Sequence, residues 1–207
     1  MIPVPPFLCV ITDETKCPVS LAEDALRGGA SMIQLRHKTA SGSKLFFWAV
    51  EICKRCKPYN ALCIINDRVD IALASGADGV HLGQQDLPAH AARKLLGESQ
   101  IIGVSVSSSE EALKAVKDGA NYIGFGHIYR TISKQKRSAP VGEDALKNVA
   151  SLISVPLIAI GGITVKNAPT VISLGASGVA VISSVSKAVD PFTATRELVE
   201  AVNRKYP

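Results

Sequence analysis

Short apolar runs alternate with amphipathic helical stretches along all 207 residues, and no other feature of the chain limits its fold as strongly. FLCVIT, MIQL, LCIIN, GVHL, IIGVSV, YIGFG, PLIAIG and GVAVIS read as eight strands. Most are apolar on both faces, as buried parallel strands are. Helical candidates separate them, from SLAEDALRGG through FFWAVEICKRC and SEEALKAVKDG to the closing FTATRELVEAVNRKY, several ended by a glycine suited to the position after a helix. Eight strand-helix pairs in one domain over residues 1–207 predict a (β/α)₈ TIM barrel at the lower end of its size range.

An internal repeat agrees. Gly-Ala recurs at 29–30, 76–77, 119–120 and 175–176, each time closing a helical stretch shortly before an apolar strand. Each period holds two strand-helix units, so four periods make eight. The longest period contains the segment from Ile128 to Gly142, which reads as an inserted loop. An open doubly wound sheet is the rival architecture; it calls for a glycine-rich fingerprint after the first strand, where only ITDET stands.

Composition narrows the function. With 47% hydrophobic, 20% charged and 5% aromatic residues the chain is neither disordered nor collagen-like, and a core of this size needs no disulfide or structural metal. No run approaches a membrane span, and a start with three prolines in six residues lacks the pattern of a signal peptide. A cytoplasmic protein is expected. Five cysteines are an odd number there and point to reduced thiols. Cys53 and Cys56, three apart in EICKRC, read as two small core side chains on one helix face, since a zinc ribbon needs a second pair. The net charge of +5 admits nucleic acid, acidic membranes or phosphorylated small ligands. One Trp, four Tyr and five Phe supply little for base stacking, so a phosphate-handling enzyme with no nucleic-acid or membrane partner accounts better for the surplus.

In such a barrel the reactive groups stand where strands end. Strand two ends in Gln34, Leu35, Arg36, His37 and Lys38, and period-two alternation directs Gln34, Arg36 and Lys38 toward the mouth. An arginine fork and a lysine point charge suit a diphosphate. Strand three ends in Asn66 and Asp67, and Asp86 follows strand four. The two carboxylates share a rim and suit Mg²⁺, although either alone reads equally as a helix cap. Ser105 ends IIGVS as a hydroxyl for phosphate or as a cap. The run from His127 to Ser138 combines cations and hydroxyls, as a lid over an anion or as a solvated basic loop. Gly161, Gly162, Ile182 and Ser183 end the last two strands, the usual phosphate side of this architecture.

Taken together, QLRHK, INDRVDIALASGADGVHLGQQDLP, IIGVS, GHIYRTISK, IAIGGI and GVAVIS resemble, in order and over nearly the whole chain, the thiamin phosphate synthase family. The resemblance implies an oligomeric TIM barrel that joins hydroxymethylpyrimidine diphosphate to hydroxyethylthiazole phosphate, or its carboxylated form, and releases pyrophosphate with Mg²⁺. Carried over, Gln34, Arg36, Lys38, Asn66 and Lys134 hold the diphosphate and pyrimidine, and Asp67 and Asp86 hold the metal. Ser105 stands near the leaving pyrophosphate, Thr131 and Ser133 contact phosphate, and Gly162, Ile182 and Ser183 form the thiazole-phosphate side. Ser105, Lys134, Arg36 and Lys38 are the candidate catalytic groups. His37, His127, Arg130 and Ser133 depart from the family pattern. GHIY instead resembles the related thiazole tautomerase, where the histidine is an acid/base; His127 is therefore a candidate acid/base, and a tautomerase is the rival enzyme. A non-catalytic binder of the phosphorylated intermediates is the rival from another class.

Overall fold

The structure, a computed structural model, describes residues 1–131 and 139–204. Eight strands, β1 (Phe7–Ile11), β2 (Met32–Leu35), β3 (Leu62–Asn66), β4 (Gly79–Leu82), β5 (Ile101–Val106), β6 (Tyr122–Gly126), β7 (Leu157–Ile160) and β8 (Gly178–Val181), pair in parallel in chain order. β8 returns to β1 with Leu8 opposite Val179 and Val10 opposite Val181, closing the barrel. Around it lie α1 (Pro18–Arg27), α2 (Gly42–Cys56), α3 (Val69–Ser75), α4 (Ala89–Leu96), α5 (Ser109–Lys117), α6 (Gly142–Leu152), α7 (Ala168–Ser173), α8 (Ser183–Ser186) and α9 (Pro191–Val202). The eight strands match the apolar runs, and closure excludes the open sheet. Among the α-helices of the described residues, α8 is without a counterpart in the sequence pattern, its four residues being too few to show a helical period.

Strand parity divides the core in two. Leu8, Val10, Ile33, Cys63, Ile65, Val80, Ile102, Ile123, Phe125 and Val179 face the helices in one apolar layer. Their alternate neighbours Phe7, Cys9, Ile11, Met32, Ile64, Ile101, Tyr122, Ile158 and Ala180 fill the barrel interior. Apolarity on both faces of each strand follows directly. Large interior side chains stand opposite glycines: a Cβ on Gly103 would lie 2.0 Å from Tyr122 Cζ, and one on Gly178 would lie 2.9 Å from the Phe7 ring.

The Gly-Ala repeat is a repeated helix ending. Ala30, Ala77, Ala120 and Ala176 each donate their N–H to the carbonyl five residues back, of Ala25, Ala72, Ala115 and Val171. The preceding glycines sit at φ 98°, 69°, 92° and 103°. This is the Schellman ending, which needs a left-handed residue before the chain turns into the next strand. Cys53 and Cys56 are buried on α2 and meet Cys63 of β3, as core packing predicts. Among the described residues, no helix is long and apolar enough to cross a membrane.

Candidate active site

A cavity of about 300 Å³ opens at the C-terminal ends of the strands. Lys38, Asn66, Asp67, Asp86, Ser105, His127, Thr131, Gly162, Ile182 and Ser183 all line it. The rim therefore gathers most of the residues singled out from sequence. Ser133 and Lys134 lie outside the described residues.

The acidic side of the cavity rests on two loops. Asp67 follows β3 with φ at 65° and donates its N–H to the His81 carbonyl at 2.8 Å. Its Oδ2 is ion-paired with Lys38 Nζ. Asp86 Oδ2 accepts the Gly83 N–H at 2.7 Å and lies within hydrogen-bonding reach of the Asp67 carboxyl. Burial pushes the Asp67 carboxyl up, but Lys38, the hydrogen bond with Asp86 and His81 together more than offset it and hold the group below its usual value. Asp86 is raised, by burial and then by the neighbouring Asp67. Neither carboxylate caps a helix: α3 starts from Arg68 and α4 from Pro88, neither with a side-chain cap. What remains is a close like-charge pair of hard oxygens, a donor set that a small divalent cation relieves. Among the described residues no three His, Cys, Asp or Glu converge as a metal-holding group, so an ion here would keep waters or substrate oxygens in its shell.

Arg36 departs from the strand-alternation reading. β2 ends at Leu35, because the Arg36 N–H donates to Thr12 Oγ1 at 2.9 Å and Thr12 Oγ1 donates back to the Arg36 carbonyl at 3.0 Å. Alternation stops where the backbone leaves the sheet. Arg36 does not line the cavity; its guanidinium stands 3.8 Å from Glu14, and its buried Nε has no hydrogen-bond partner among the described residues. Gln34 does face inward, but it is buried below the mouth, where it stands beside Tyr122 and His81.

Ser105 is not a cap either, since Ser108 takes that role for α5 by accepting the Glu111 N–H at 3.2 Å. Its Oγ stands 2.8 Å from His81 Nε2, and its carbonyl accepts Gln84 Nε2 at 2.7 Å. The inserted segment is tied at its base, where Val141 N–H donates to the His127 carbonyl at 2.9 Å and the Tyr129 hydroxyl donates to Glu143 at 2.6 Å. Ile128 is buried in the core, so the insertion starts later than its sequence suggests. His127 is buried at the cavity wall and Arg130 is exposed. His37 lies outside the cavity lining, its ring centroid 5.1 Å from that of Trp48. Opposite the acids, the loop that carries Gly161 and Gly162 joins α8 through Ile163. Ser184 Oγ donates to the Ile163 carbonyl at 2.5 Å, and Ser186 Oγ donates to the buried Asp13 at 2.8 Å.

Known proteins carry the same pattern. The model of the TMP-TENI family, described as thiamine monophosphate synthase, matches residues 8–185. The chain belongs to this family. A thiamine-phosphate synthase of Chlorobium limicola is 60% identical over 199 residues, covering 96% of this chain and 95% of that protein. One from Methanospirillum hungatei is 45% identical over 93% of this chain and 96% of its own length. The solved thiamine phosphate pyrophosphorylase of Pyrococcus furiosus is 40% identical and superposes with a TM-score of 0.89 over 95% of each chain. In this thiamine monophosphate synthase family member, His81 lines the cavity although it lies below the strand ends, and Tyr122 beneath it joins through His81 Nδ1 at 2.9 Å. Inward parity in GVHL and YIGFG is the signal that marks them.

Proposed function

We propose that the chain condenses hydroxymethylpyrimidine diphosphate with hydroxyethylthiazole phosphate to thiamin phosphate and pyrophosphate. The observation that carries this is the single cavity in which Lys38, Asp67, Asp86 and Ser105 face Gly162 and Ser183. One wall suits a diphosphate and the other a monophosphate. Relatives of 40 to 60% identity bear the synthase's name, and neither a tautomerase nor a silent binder draws support from them.

The bond from the pyrimidine methylene to the diphosphate oxygen breaks, and its electron pair leaves with pyrophosphate. The thiazole nitrogen then gives its lone pair to that carbon. No protein nucleophile is needed, so the chain's contribution is to stabilise the leaving anion and align the two halves. Lys38 places a cation at the departing oxygens and Ser105 an O–H. Bare N–H groups around Gly161 and Gly162 hold the second phosphate, and Gln34 and Asn66 orient the pyrimidine. Lys134 and the hydroxyls of Thr131 and Ser133 add contacts to phosphate from the insertion, and Arg36 reaches the diphosphate on leaving Glu14. Asp67 and Asp86 fit Mg²⁺, which when bound supplies positive charge against the diphosphate. The same reading expects a cytoplasmic homo-oligomer without nucleic acid as a partner.

Purified protein with both phosphorylated halves and Mg²⁺ is expected to release thiamin phosphate and pyrophosphate in equal amounts. Isomerised thiazole without coupling, lost in His127→Ala, would make it a tautomerase; tight binding without turnover would make it a binder.

A further inference from the structure

Three polar side chains form one hydrogen-bonded series through the barrel interior below the cavity, with Gln34 beside it. Tyr122 Oη lies 2.9 Å from His81 Nδ1, and His81 Nε2 lies 2.8 Å from Ser105 Oγ. Gln34, His81 and Tyr122 are 4%, 8% and 1% exposed. Glycines make room for the two rings: a Cβ on Gly124 would stand 2.9 Å from His81 Cε1, and one on Gly103 would stand 2.4 Å from Tyr122 Oη. Two buried polar rings leading to one hydroxyl are costly unless each is paired, so the series is built into the fold.

A neutral imidazole carries one N–H and one lone pair, so the series can run in two directions. In the first, the Tyr122 O–H donates to Nδ1 and Nε2–H donates to Ser105 Oγ. The Ser105 proton is then free to point into the cavity. In the second, Nδ1–H donates to Tyr122 and Ser105 donates to Nε2, leaving only oxygen lone pairs toward the cavity. An anion is stabilised by the first arrangement and repelled by the second. The buried phenol selects between them. Among the described residues its hydroxyl makes its hydrogen bond with His81 Nδ1, and burial keeps the phenol protonated. A buried hydroxyl that only accepts strands its own proton, so the phenol donates and Nδ1 is the acceptor within reach.

We propose that His81 and Tyr122 are positioning residues which, by fixing the imidazole as its Nε2–H tautomer, hold the Ser105 hydroxyl as a hydrogen-bond donor toward the departing pyrophosphate. The role in turnover rests on the condensation proposed above; the direction of the series does not. Two measurements therefore test it. In ¹⁵N spectra of histidine-labelled protein, with His81 assigned by its loss in His81→Gln, the wild type is expected to show Nε2–H and an unprotonated Nδ1. A proton on Nδ1 alone, or on both nitrogens, overturns the proposal. In turnover, Tyr122→Phe keeps the ring against Gly103 and is expected to lower kcat about tenfold, a fraction of the roughly hundredfold loss on removing the donor itself in Ser105→Ala. Both KM values should stay within about twofold, since the ground-state contacts are kept. The double variant Ser105→Ala/Tyr122→Phe should couple no more slowly than Ser105→Ala alone. Wild-type turnover in Tyr122→Phe, or losses that multiply in the double variant, would overturn it. A wild type that fails to couple sinks the condensation instead, and the tautomer still decides the direction of the series.

Discussion

At position 103 the barrel interior has room for a hydrogen and nothing larger. The Tyr122 ring stands where a Cβ would project, 2.0 Å from Cζ, and β5 and β6 pair through Gly103 and Tyr122 themselves, so neither backbone can withdraw without breaking the sheet. Gly103→Ala is therefore expected to destabilise the fold by about 3 kcal/mol or more, read as a lower midpoint in urea; an unchanged midpoint would mean that the ring has another place to go. The acids obey a different constraint. Asp67→Asn removes one charge from the close pair and is expected to lower coupling roughly a hundredfold, a loss of about 3 kcal/mol of charge stabilisation, with the circular dichroism spectrum unchanged. Full activity of the wild type without divalent metal would count against Asp67 and Asp86 as ligands. Both acids are legible in the sequence because Asp67 directly follows one apolar strand and Asp86 stands in the short loop after the next. Arg36 is not, because its direction depends on a bond to Thr12, 24 residues away, which no local pattern encodes.

At the scale of an element, α8 is the part of the site with the fewest means of holding itself in place. Four residues cannot make a stable helix alone. Ser184 ties it to the loop after β7 and Ser186 to Asp13 after β1, so the wall carrying Ser183 is fixed from both sides. Asp13→Ala is expected to raise KM for the thiazole phosphate about tenfold and to leave KM for the pyrimidine diphosphate unchanged, since Lys38 and the acids stand on other loops. Equal changes in both constants would show that Asp13 holds the fold and not this wall. Strands were readable from apolar runs and long helices from their period, whereas α8 depends on partners 20 and more residues away and leaves no trace in its own four residues.

For the whole molecule, carboxylates couple stability to pH. Burial pushes the Asp13 carboxyl up, but hydrogen bonds from Thr15 and Ser186 and the charge of Lys187 more than offset this, and it lies below its usual value. Glu14, Asp67 and Asp70 are also held below theirs by hydrogen bonds and neighbouring cations. Each such group stabilises the fold above its unfolded pKa, near 4. Below that, the unfolded chain takes up protons that the folded chain refuses, and the contribution is lost as pH falls through the folded values. Asp86 acts in the opposite sense: its raised carboxyl takes a proton first in the folded state, and the fold gains as pH falls through that raised value. The lowered groups outnumber it, so the melting temperature is expected to hold from pH 7 to about 5 and to fall between about 4 and 3. Asp13→Asn removes one titrating group from that limb, so the variant should start from a lower melting temperature at pH 7 and lose less of it on acidification. Parallel curves for variant and wild type, measured by thermal scans at matched ionic strength, would show that the hydrogen bonds from Thr15 and Ser186 do not hold Asp13 ionised.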